Sequence, residues 1–287
     1  MRNVAIFLFY SFFLILLGRH LTFIPTLNFS KAEKAKDTEE IREELTKFLK
    51  EKEGQFSIYY KDINSGEGFG IQENTVLTAA SLNKLVIVGY LYNLASKKEI
   101  NLEDKIVIQE EDIQDYGTGS LRYKKAGEPY TLKYLAQLAF KQSDNTAAHV
   151  LTIRLGEDNI QEYARQLGMS ATNMVENETS AHDVGRFFEL LYSHKITSPA
   201  LSQEMMDFMK DTEFEDRIPR LLPKDVTVYH KIGDAVTLVH DGAIVDNSED
   251  PFILVVMAHN LKDEGKGKET IGQVAQLIYS LRFPQAK

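Results

Sequence analysis

The stretch from Thr78 to Asn93 constrains the fold most, because it opens with small and polar residues and then becomes almost entirely apolar. Its apolar residues are Leu82, Leu85, Val86, Ile87, Val88 and Leu91. A helix that is apolar on every side must be enclosed by other elements. Ser81 and Lys84 lie at its polar start, and their three-residue spacing places both side chains on one face. The fold must therefore bury a helix that begins with a hydroxyl and an amine.

Alternation of apolar and polar residues predicts strands near both ends of the chain. The segment 56–60 alternates, and a turn at 64–66 leads to a short second strand around 69–71. The three strands predicted near the end cover about 226–231, 238–245 and 252–258. The last of these is nearly continuously apolar, which is typical of a central strand. We expect the five strands to form one antiparallel sheet.

Helical patterns flank these strands and fill the middle of the chain. Thr38 is placed to cap a first helix, and 268–281 carries the apolar face of a last one. The predicted fold class is α+β, with the terminal helices on one face of a five-stranded antiparallel sheet. The sheet part would comprise about 38–97 and 212–287, and an all-helical region, about 98–211, would be inserted between the second and third strands.

The N-terminal residues resemble a secretory signal, because 4–17 carry no charge and follow a start that includes Arg2. No small-x-small cleavage site follows, so a cleaved signal peptide and an uncleaved membrane anchor both stay open. A buried helix is a third interpretation, although such a helix would show polar positions. We assign 1–25 to this segment, 26–37 to a polar tether and 38–287 to the folded domain. We expect an exported protein that meets the membrane only through its N-terminal segment.

Composition excludes several classes of function. The net charge of −9 repels polyanions, so we expect no nucleic-acid partner. The absence of cysteine excludes disulfides, thiolate metal sites and a cysteine nucleophile. The seven histidines fit no metal-ligand spacing, so each is expected to be hydrogen-bonded or solvent-facing. We predict no metal and no cofactor.

Ser81 and Lys84 fit nucleophilic chemistry. A serine hydroxyl attacks well only when a neighbouring base takes its proton. A lysine amine can act as that base if burial or nearby cations lower its pKa. The start of a helix adds backbone N–H groups that favour an oxyanion. Ser-x-x-Lys alone is weak, because it should occur about once by chance in a chain of this length. A capping serine beside a surface lysine is the alternative.

Two later motifs strengthen the interpretation. Ser-Asp-Asn stands at 143–145, between two predicted helices, where it could equally be a helix cap. Lys-Ile-Gly-Asp stands at 231–234 on a predicted strand, and its glycine would let a ligand approach the backbone closely. Each motif alone is weak. Ser-x-x-Lys, Ser-x-Asn and Lys-x-Gly in this order form the signature of penicillin-recognising serine enzymes.

The chain resembles the class A β-lactamase-related serine hydrolases, which include penicillin-binding relatives. The resemblance runs from about residue 38 to the C-terminus. Besides the three motifs it includes Gly-Thr-Gly-Ser-Leu at 117–121 and His-Asp-Gly-Ala-Ile at 240–244. The family's fold is a sheet with an inserted helical region, as the strand and helix patterns also predict.

The resemblance implies catalytic roles for the first two motifs. Ser81 would be the acylated nucleophile and Lys84 its base. Ser143 would relay a proton to the leaving nitrogen. Asn145 would hold the substrate amide, and Asp144 would be structural.

The resemblance also implies substrate contacts for the third motif, Lys-Ile-Gly-Asp at 231–234. Lys231 would attract the substrate carboxylate, and Gly233 would lie in the same binding strand. Backbone N–H groups of Ser81 and Asp234 would form the oxyanion hole. Tyr116 would form a wall of the site. Two arginines, Arg217 and Arg220, are candidates to assist with the carboxylate, but solvated surface arginine is the expectation for each.

The chain departs from the family pattern at two places. Ile232 replaces the usual hydroxyl residue, and Asp234 brings a negative charge to the oxyanion hole. Class A enzymes also carry Glu-x-x-Leu-Asn in a loop, and its glutamate activates the deacylating water. Here the short loop 169–178 contains only Glu176 and Glu178, which do not fit that pattern and are expected on the surface. Slow deacylation is therefore expected.

Three functions remain open from the sequence. The first is hydrolysis of β-lactam amides through an acyl-enzyme at Ser81. The alternative is a D-Ala-D-Ala carboxypeptidase or transpeptidase that acts on peptidoglycan stem peptides. The third is a non-catalytic β-lactam or cell-wall sensor domain. The expected partner is a β-lactam or a stem peptide, and the protein is expected to be a monomer.

Overall fold

The computed structural model describes residues 37–284, so the segment predicted at 1–25 and the tether up to residue 36 lie outside the described residues. The α-helices of the described part are α1 (Thr38–Leu49), α2 (Lys84–Ser96), α3 (Leu132–Lys141), α4 (Asn145–Leu155), α5 (Glu157–Gln166), α6 (Ala181–Tyr192), α7 (Pro199–Met209) and α8 (Glu264–Arg282). Its strands are β1 (Gln55–Asp62), β2 (Gly68–Ile71), β3 (Leu77–Thr78), β4 (Lys105–Val107), β5 (Pro129–Thr131), β6 (Glu178–Thr179), β7 (Thr227–Ala235), β8 (Leu238–Asp246) and β9 (Phe252–His259). Within the described residues, no helix is both long and apolar enough to span a membrane.

Five strands form one sheet in the order β2-β1-β9-β8-β7, and every neighbouring pair is antiparallel. This confirms the predicted α+β arrangement. The central strand β9 is apolar along its length because both of its faces are buried. Leu254 and Val256 face one core, whereas Ile253 and Val255 face the other.

The two faces of the sheet are covered by different helices. The terminal helices cover one face, where Ile41 of α1 and Ile271 of α8 share a core with Leu254. The other face is covered by α6, whose Phe187 and Phe188 are fully buried. The three motifs therefore sit in a three-layer structure in which the sheet lies between two helical layers.

The inserted region carries α3 to α7 and two short strand pairs, β3–β6 and β4–β5. Helix α2 shares the core of this region, although the sequence assigned it to the sheet part. Leu85 and Leu91 of α2 are fully buried, and so is most of the helix on every side. The apolar stretch is thus enclosed, as its composition requires.

Side-chain caps fix where several helices begin. Thr131, Ser180 and Ser198 accept hydrogen bonds from backbone N–H groups at the starts of α3, α6 and α7. The predicted cap Thr38 is wrong, because Asp37 accepts from Glu40 N at 2.9 Å and Thr38 is the first helical residue. A carboxylate at this position also favours the positive end of the helix dipole.

Candidate active site

A tight turn between β3 and α2 presents Ser81. The turn is a 3-10 helix, Ala80–Asn83, that leads directly into α2. We call it the nucleophile turn, because it carries the predicted nucleophile. Ala79 N donates to Asn177 O at 2.7 Å, which ties the turn to the loop before β6. Ala80 has a φ of 48°, a left-handed conformation that is strained for a residue with a Cβ. Ser81 follows this strained residue and is half-buried.

The Ser-Asp-Asn motif forms the turn between α3 and α4. Ser143 has a φ of 51°, and its carbonyl accepts from Thr118 Oγ1 at 2.9 Å. The buried Asp144 caps α4 by accepting from Ala147 N at 2.9 Å, and it accepts from Leu121 N at 2.9 Å. These bonds hold Ser143 in its left-handed conformation.

Lys84 joins the first two motifs through its buried amine. Its Nζ lies 2.9 Å from Ser81 Oγ, 3.2 Å from Ser143 Oγ and 2.7 Å from Asn145 Oδ1. It also donates to the carbonyl of Ser143. Two of these four oxygens, Ser143 O and Asn145 Oδ1, can only accept, whereas the two hydroxyls can also donate. A neutral Lys84 amine can therefore donate to the two oxygens that only accept, and its lone pair can accept from one of the two hydroxyls.

The electrostatics of Lys84 favour that neutral state. Burial lowers its pKa from 10.5 to about 7, although the charge of Asp144 opposes the shift. Near neutral pH a large fraction of Lys84 is therefore an amine whose lone pair can accept the Ser81 proton. The hydroxyl of Ser81 and the amine of Lys84 thus lie within hydrogen-bond distance, as a nucleophile and its base require.

Lys231 on β7 extends the cluster on the other side of Ser143. Its Nζ donates to Ser143 Oγ at 2.8 Å and to Ile232 O at 2.9 Å, and the side chain is buried. Burial, followed by the charges of Lys84 and Arg217, lowers the pKa of Lys231 well below its ordinary value. We call Ser81, Lys84, Ser143 and Lys231 the lysine site.

Gly233 allows β7 to approach the nucleophile turn. A Cβ at this position would lie 2.9 Å from Ala79 O and 3.4 Å from Ala80 Cβ. Since only glycine leaves this space open, β7 can bring its backbone beside the segment that carries Ser81. Lys231 and Ser81 reach the same cluster for this reason.

The remaining candidate residues lie at the edge of the cluster. Asn145 Nδ2 donates to Tyr116 O at 3.2 Å, so the Tyr116 backbone holds Asn145, while the Tyr116 side chain is 63% exposed. Ile232 is buried. The Asp234 carboxylate is bound by Arg217 Nη2 at 2.6 Å, so its charge is paired.

Arg217 contradicts the expectation of a solvated arginine, because it is fully buried. Its Nη1 donates to His240 O at 2.9 Å, and its Nη2 reaches Asp234. Three of the four residues before it, Glu213, Glu215 and Asp216, are acidic and give no sequence signal for its burial. Arg220 is exposed, as expected.

A second cluster, which we call the histidine site, consists of the buried His230 and Asp241 and the exposed Glu215. His230 Nδ1 lies 3.0 Å from Asp241 Oδ1, and Nε2 lies 3.2 Å from Glu215 Oε1. Burial alone would lower the pKa of His230, but the charges and hydrogen bonds of the two carboxylates outweigh it and raise the pKa to about 9. The sequence predicted a hydrogen-bonded or solvent-facing histidine without identifying these partners.

The loop before α6 places amides beside the nucleophile turn. Asn83 Nδ2 donates to Asn177 Oδ1 at 3.0 Å. Glu176 is exposed, and Glu178 pairs with Thr78 in the β3–β6 ladder. Within residues 37–284, no carboxylate hydrogen-bonds to Ser81 or Lys84. The same described residues contain no group of three or more His, Asp or Glu side chains that could hold a metal ion.

Sequence comparisons agree with this geometry. The model of a family described as the β-lactamase enzyme family matches residues 40–281. β-Lactamase 3 of Bacillus cereus is 23% identical over 245 residues, which are 79% of this chain and 76% of that protein. The match extends over both the sheet and the inserted helical region.

Solved structures share the fold. The structure of PBP-A aligns with a TM-score of 0.79 at 22% identity and covers 87% of this chain and 98% of PBP-A. A β-lactamase from Sphaerobacter thermophilus also gives 0.79 at 22% identity, covering 85% of this chain and 97% of its own. A mutant of PBP-A is an acyl-enzyme complex with penicillin G. The likeness places this chain in the β-lactamase/transpeptidase-like fold.

Proposed function

The chain belongs to the β-lactamase enzyme family, and from that premise we propose that Ser81 forms an acyl-enzyme with β-lactam amides. One observation carries the proposal. A buried lysine amine lies within hydrogen-bond distance of both Ser81 Oγ and Ser143 Oγ. This is the arrangement that a serine nucleophile needs, with a base on one side and a proton donor to the leaving group beyond it.

The acylation step uses these groups in order. The Lys84 amine takes the Ser81 proton as Oγ bonds to the substrate carbonyl carbon, and the carbonyl oxygen becomes an oxyanion. Backbone N–H groups of Ser81 and Asp234 stabilise that charge. The carbon–nitrogen bond then breaks, and the Ser143 hydroxyl passes a proton to the leaving nitrogen. Ser143 recovers a proton from Lys84, which leaves the amine neutral.

We propose that the acyl-enzyme is hydrolysed slowly. Hydrolysis needs a water and a base that takes its proton. Here the nucleophile turn supplies the amide of Asn83, and the loop supplies the amide of Asn177. An amide can hold a water by hydrogen bonds but cannot take its proton at neutral pH. Loss of a general base costs about 10²–10⁴ in rate.

The same observation favours a second candidate, a D-Ala-D-Ala carboxypeptidase or transpeptidase. Such an enzyme passes its acyl group to an amine or releases it slowly, so it does not depend on an activated water. Penicillin would then act as a long-lived inhibitor. The penicillin G complex of mutant PBP-A supports penicillin as the probe for both candidates.

The test is intact-mass spectrometry after incubation with penicillin G. We expect a long-lived adduct on the native protein and on Ser96→Ala, whose serine is exposed at the end of α2. We expect none on Ser81→Ala. Rapid turnover of a chromogenic cephalosporin would identify a β-lactamase, and release of D-Ala from a peptide would identify the peptidase. An adduct on Ser81→Ala would overturn the proposal, and a native protein with neither turnover nor peptide cleavage would indicate a sensor.

We also propose that the protein is exported, on the outer face of the cytoplasmic membrane or secreted after cleavage. The support is the uncharged run 4–17 behind Arg2. Fractionation of cells that express the full chain tests this, and recovery of the protein only in the cytosol would contradict it.

A further inference from the structure

Near the lysine site, Asp234 at the end of β7 belongs to a cluster of two cations and two carboxylates. Arg217 Nη2 donates to Asp234 Oδ2 at 2.6 Å, and Arg217 Nε donates to Asp216 Oδ1 at 3.2 Å. Lys268 Nζ lies 3.1 Å from Asp216 Oδ2 and 3.9 Å from Asp234 Oδ2. The four formal charges cancel. We call these four residues the Arg217 cluster.

The cluster exposes its carboxylates and hides its guanidinium. The Arg217 side chain is 0% exposed, whereas the Asp234 side chain is 39% exposed. The remaining guanidinium nitrogen, Nη1, donates to His240 O at 2.9 Å. Every nitrogen of the guanidinium thus has a protein partner. A ligand that approaches β7 meets the Asp234 carboxylate before it can meet Arg217.

The other features of this strand add little attraction for an anion. Lys231 is buried and donates to Ser143 Oγ and Ile232 O, so its amine is already occupied. Burial and the neighbouring cations lower its pKa. Ile232 supplies no hydroxyl, and its side chain is on the same side of β7 as that of Asp234, two residues on.

The position of Asp234 relative to the nucleophile follows from Gly233. The backbone of Gly233 packs against Ala79 and Ala80, the residues just before Ser81. Asp234 is the next residue, and the charge of its carboxylate acts on Lys231 of the lysine site, where it opposes the lowering of the pKa of that lysine. A negative charge fixed at this position raises the energy of a donor that brings a second negative charge there.

We propose that Asp234 is a specificity-determining residue that selects acyl donors with a neutral or cationic group, rather than a carboxylate, on the carbon next to the leaving nitrogen. A carboxamide at that position would donate to the Asp234 carboxylate, whose side chain is 39% exposed, whereas a carboxylate would be repelled by it. The inference rests on the proposed acyl-enzyme at Ser81. It assigns the substrate class as amidated peptides or amides of equivalent charge.

The experiment compares two donors, penicillin G and its carboxamide, which differ only in the group in question. Second-order rate constants for adduct formation are measured by quenching and intact-mass spectrometry. We expect the native protein to react faster with the carboxamide. In Asp234→Asn the ratio of the carboxylate rate constant to the carboxamide rate constant should rise by about tenfold or more, because the like charge is removed.

Asp216→Asn is the matched control. It removes one negative charge that pairs with the same two cations, Arg217 and Lys268, but it leaves β7 unchanged. A smaller shift than in Asp234→Asn supports the proposal. An equal shift in both variants would overturn it, because net charge alone would then explain the ratio. Thermal unfolding of each variant establishes that it is folded.

A measurement on the native protein keeps the proposal testable if Asp234→Asn does not fold. Raising the salt concentration from about 20 mM to about 500 mM screens exposed charges and should bring the two rate constants closer together. A native preference for the carboxylate that salt does not change would overturn the inference while leaving the acyl-enzyme intact. Absence of any adduct from either donor would overturn the proposed function and, with it, the inference.

Discussion

Two buried basic residues, His230 and Lys231, stand next to each other on β7 and have opposite surroundings. Lys231 belongs to the lysine site, where the partners are hydroxyls, carbonyl oxygens and an amide. His230 belongs to the histidine site, where the partners are two carboxylates. Both side chains are almost completely buried. The pKa of Lys231 is lowered, whereas that of His230 is raised to about 9.

The contrast shows that the partners, and not burial, decide whether a buried base is charged. Burial disfavours the charged form in both sites, and only the histidine site offers carboxylates that reverse the effect. The charged His230 holds Asp241, which also accepts from Ile218 N at 3.1 Å and so ties the segment before β7 to the sheet. The lysine site is suited to proton transfer, whereas the histidine site is suited to stabilising the fold.

The largest effect is expected when the base of the lysine site is removed. Lys84→Met keeps most of the volume of the side chain but has no amine, so acylation by penicillin G should slow by about 10²–10⁴. Intact-mass kinetics measure the rate constant. Lys97→Met, at the exposed end of α2, is the control and should react as the native protein does. A loss smaller than about tenfold would show that another group takes the Ser81 proton.

The lysine site should also give a pH profile that the histidine site does not share. Lys84 has a pKa of about 7, so its amine is protonated below that value and cannot act as a base. Acylation should rise about a hundredfold from pH 5 to pH 8 and level off above the pKa. Stopped-flow or quenched mass spectrometry gives the profile. A flat profile in this range would mean that Lys84 is not the base.

The sequence predicted the elements whose own residues require a particular environment or geometry. The apolar run of β9 had to be a central strand, and the apolar helix behind Ser81 had to be enclosed. The Ser-x-x-Lys spacing placed its two side chains on one face, and the structure shows Ser81 Oγ and Lys84 Nζ 2.9 Å apart.

Contacts between distant residues could not be predicted in the same way. Arg217 is buried because Asp234 and the carbonyl of His240 receive its guanidinium, and these partners lie on β7 and β8. His230 meets Asp241 only because the β7–β8 hairpin pairs Ile232 with Asp241. A register of that kind depends on the whole hairpin. Three of the four residues just before Arg217 are acidic, and this local pattern predicts a surface position.

The histidine site should make stability depend on pH between its unfolded and folded pKa values. The folded pKa of His230 is about 9 and its ordinary value is 6.5, so its contribution is complete below 6.5 and is lost as pH rises through 9. The free energy of unfolding should fall by about 2–3 kcal/mol over this range in the native protein and less in His230→Gln. Denaturant unfolding at several pH values measures this.

His240→Gln is the control for that experiment. Burial lowers the pKa of His240 to about 4, so this histidine is neutral throughout pH 6.5–9. Its variant should keep the native pH dependence in this range, even if its stability is lower at every pH. Equal slopes for native protein and His230→Gln would show that the two carboxylates do not hold a charged imidazole.

The lysine site differs from the histidine site in having no carboxylate partner, and a carboxylate placed beside it would reduce this difference. Asn177→Asp keeps the size of a side chain that contacts Asn83 and suits its φ of 53°. The new carboxylate could take a proton from water, so the penicillin adduct should be lost about tenfold faster. Asn173→Asp, in the same loop, is the control of equal charge. Unchanged adduct lifetime in Asn177→Asp would mean that the loop does not reach the deacylating water.

The smallest effect should come from the outer carboxylate of the histidine site. Glu215 has a 43% exposed side chain, so water screens its attraction to His230, and the buried Asp241 keeps its bond to the imidazole. Glu215→Gln should therefore cost only about 0.5–1 kcal/mol in the free energy of unfolding at pH 6. Glu213→Gln, the same change at an exposed position two residues earlier, is the control. A loss above about 2 kcal/mol would mean that Glu215, rather than Asp241, keeps His230 protonated. The histidine site would then depend on an exposed partner.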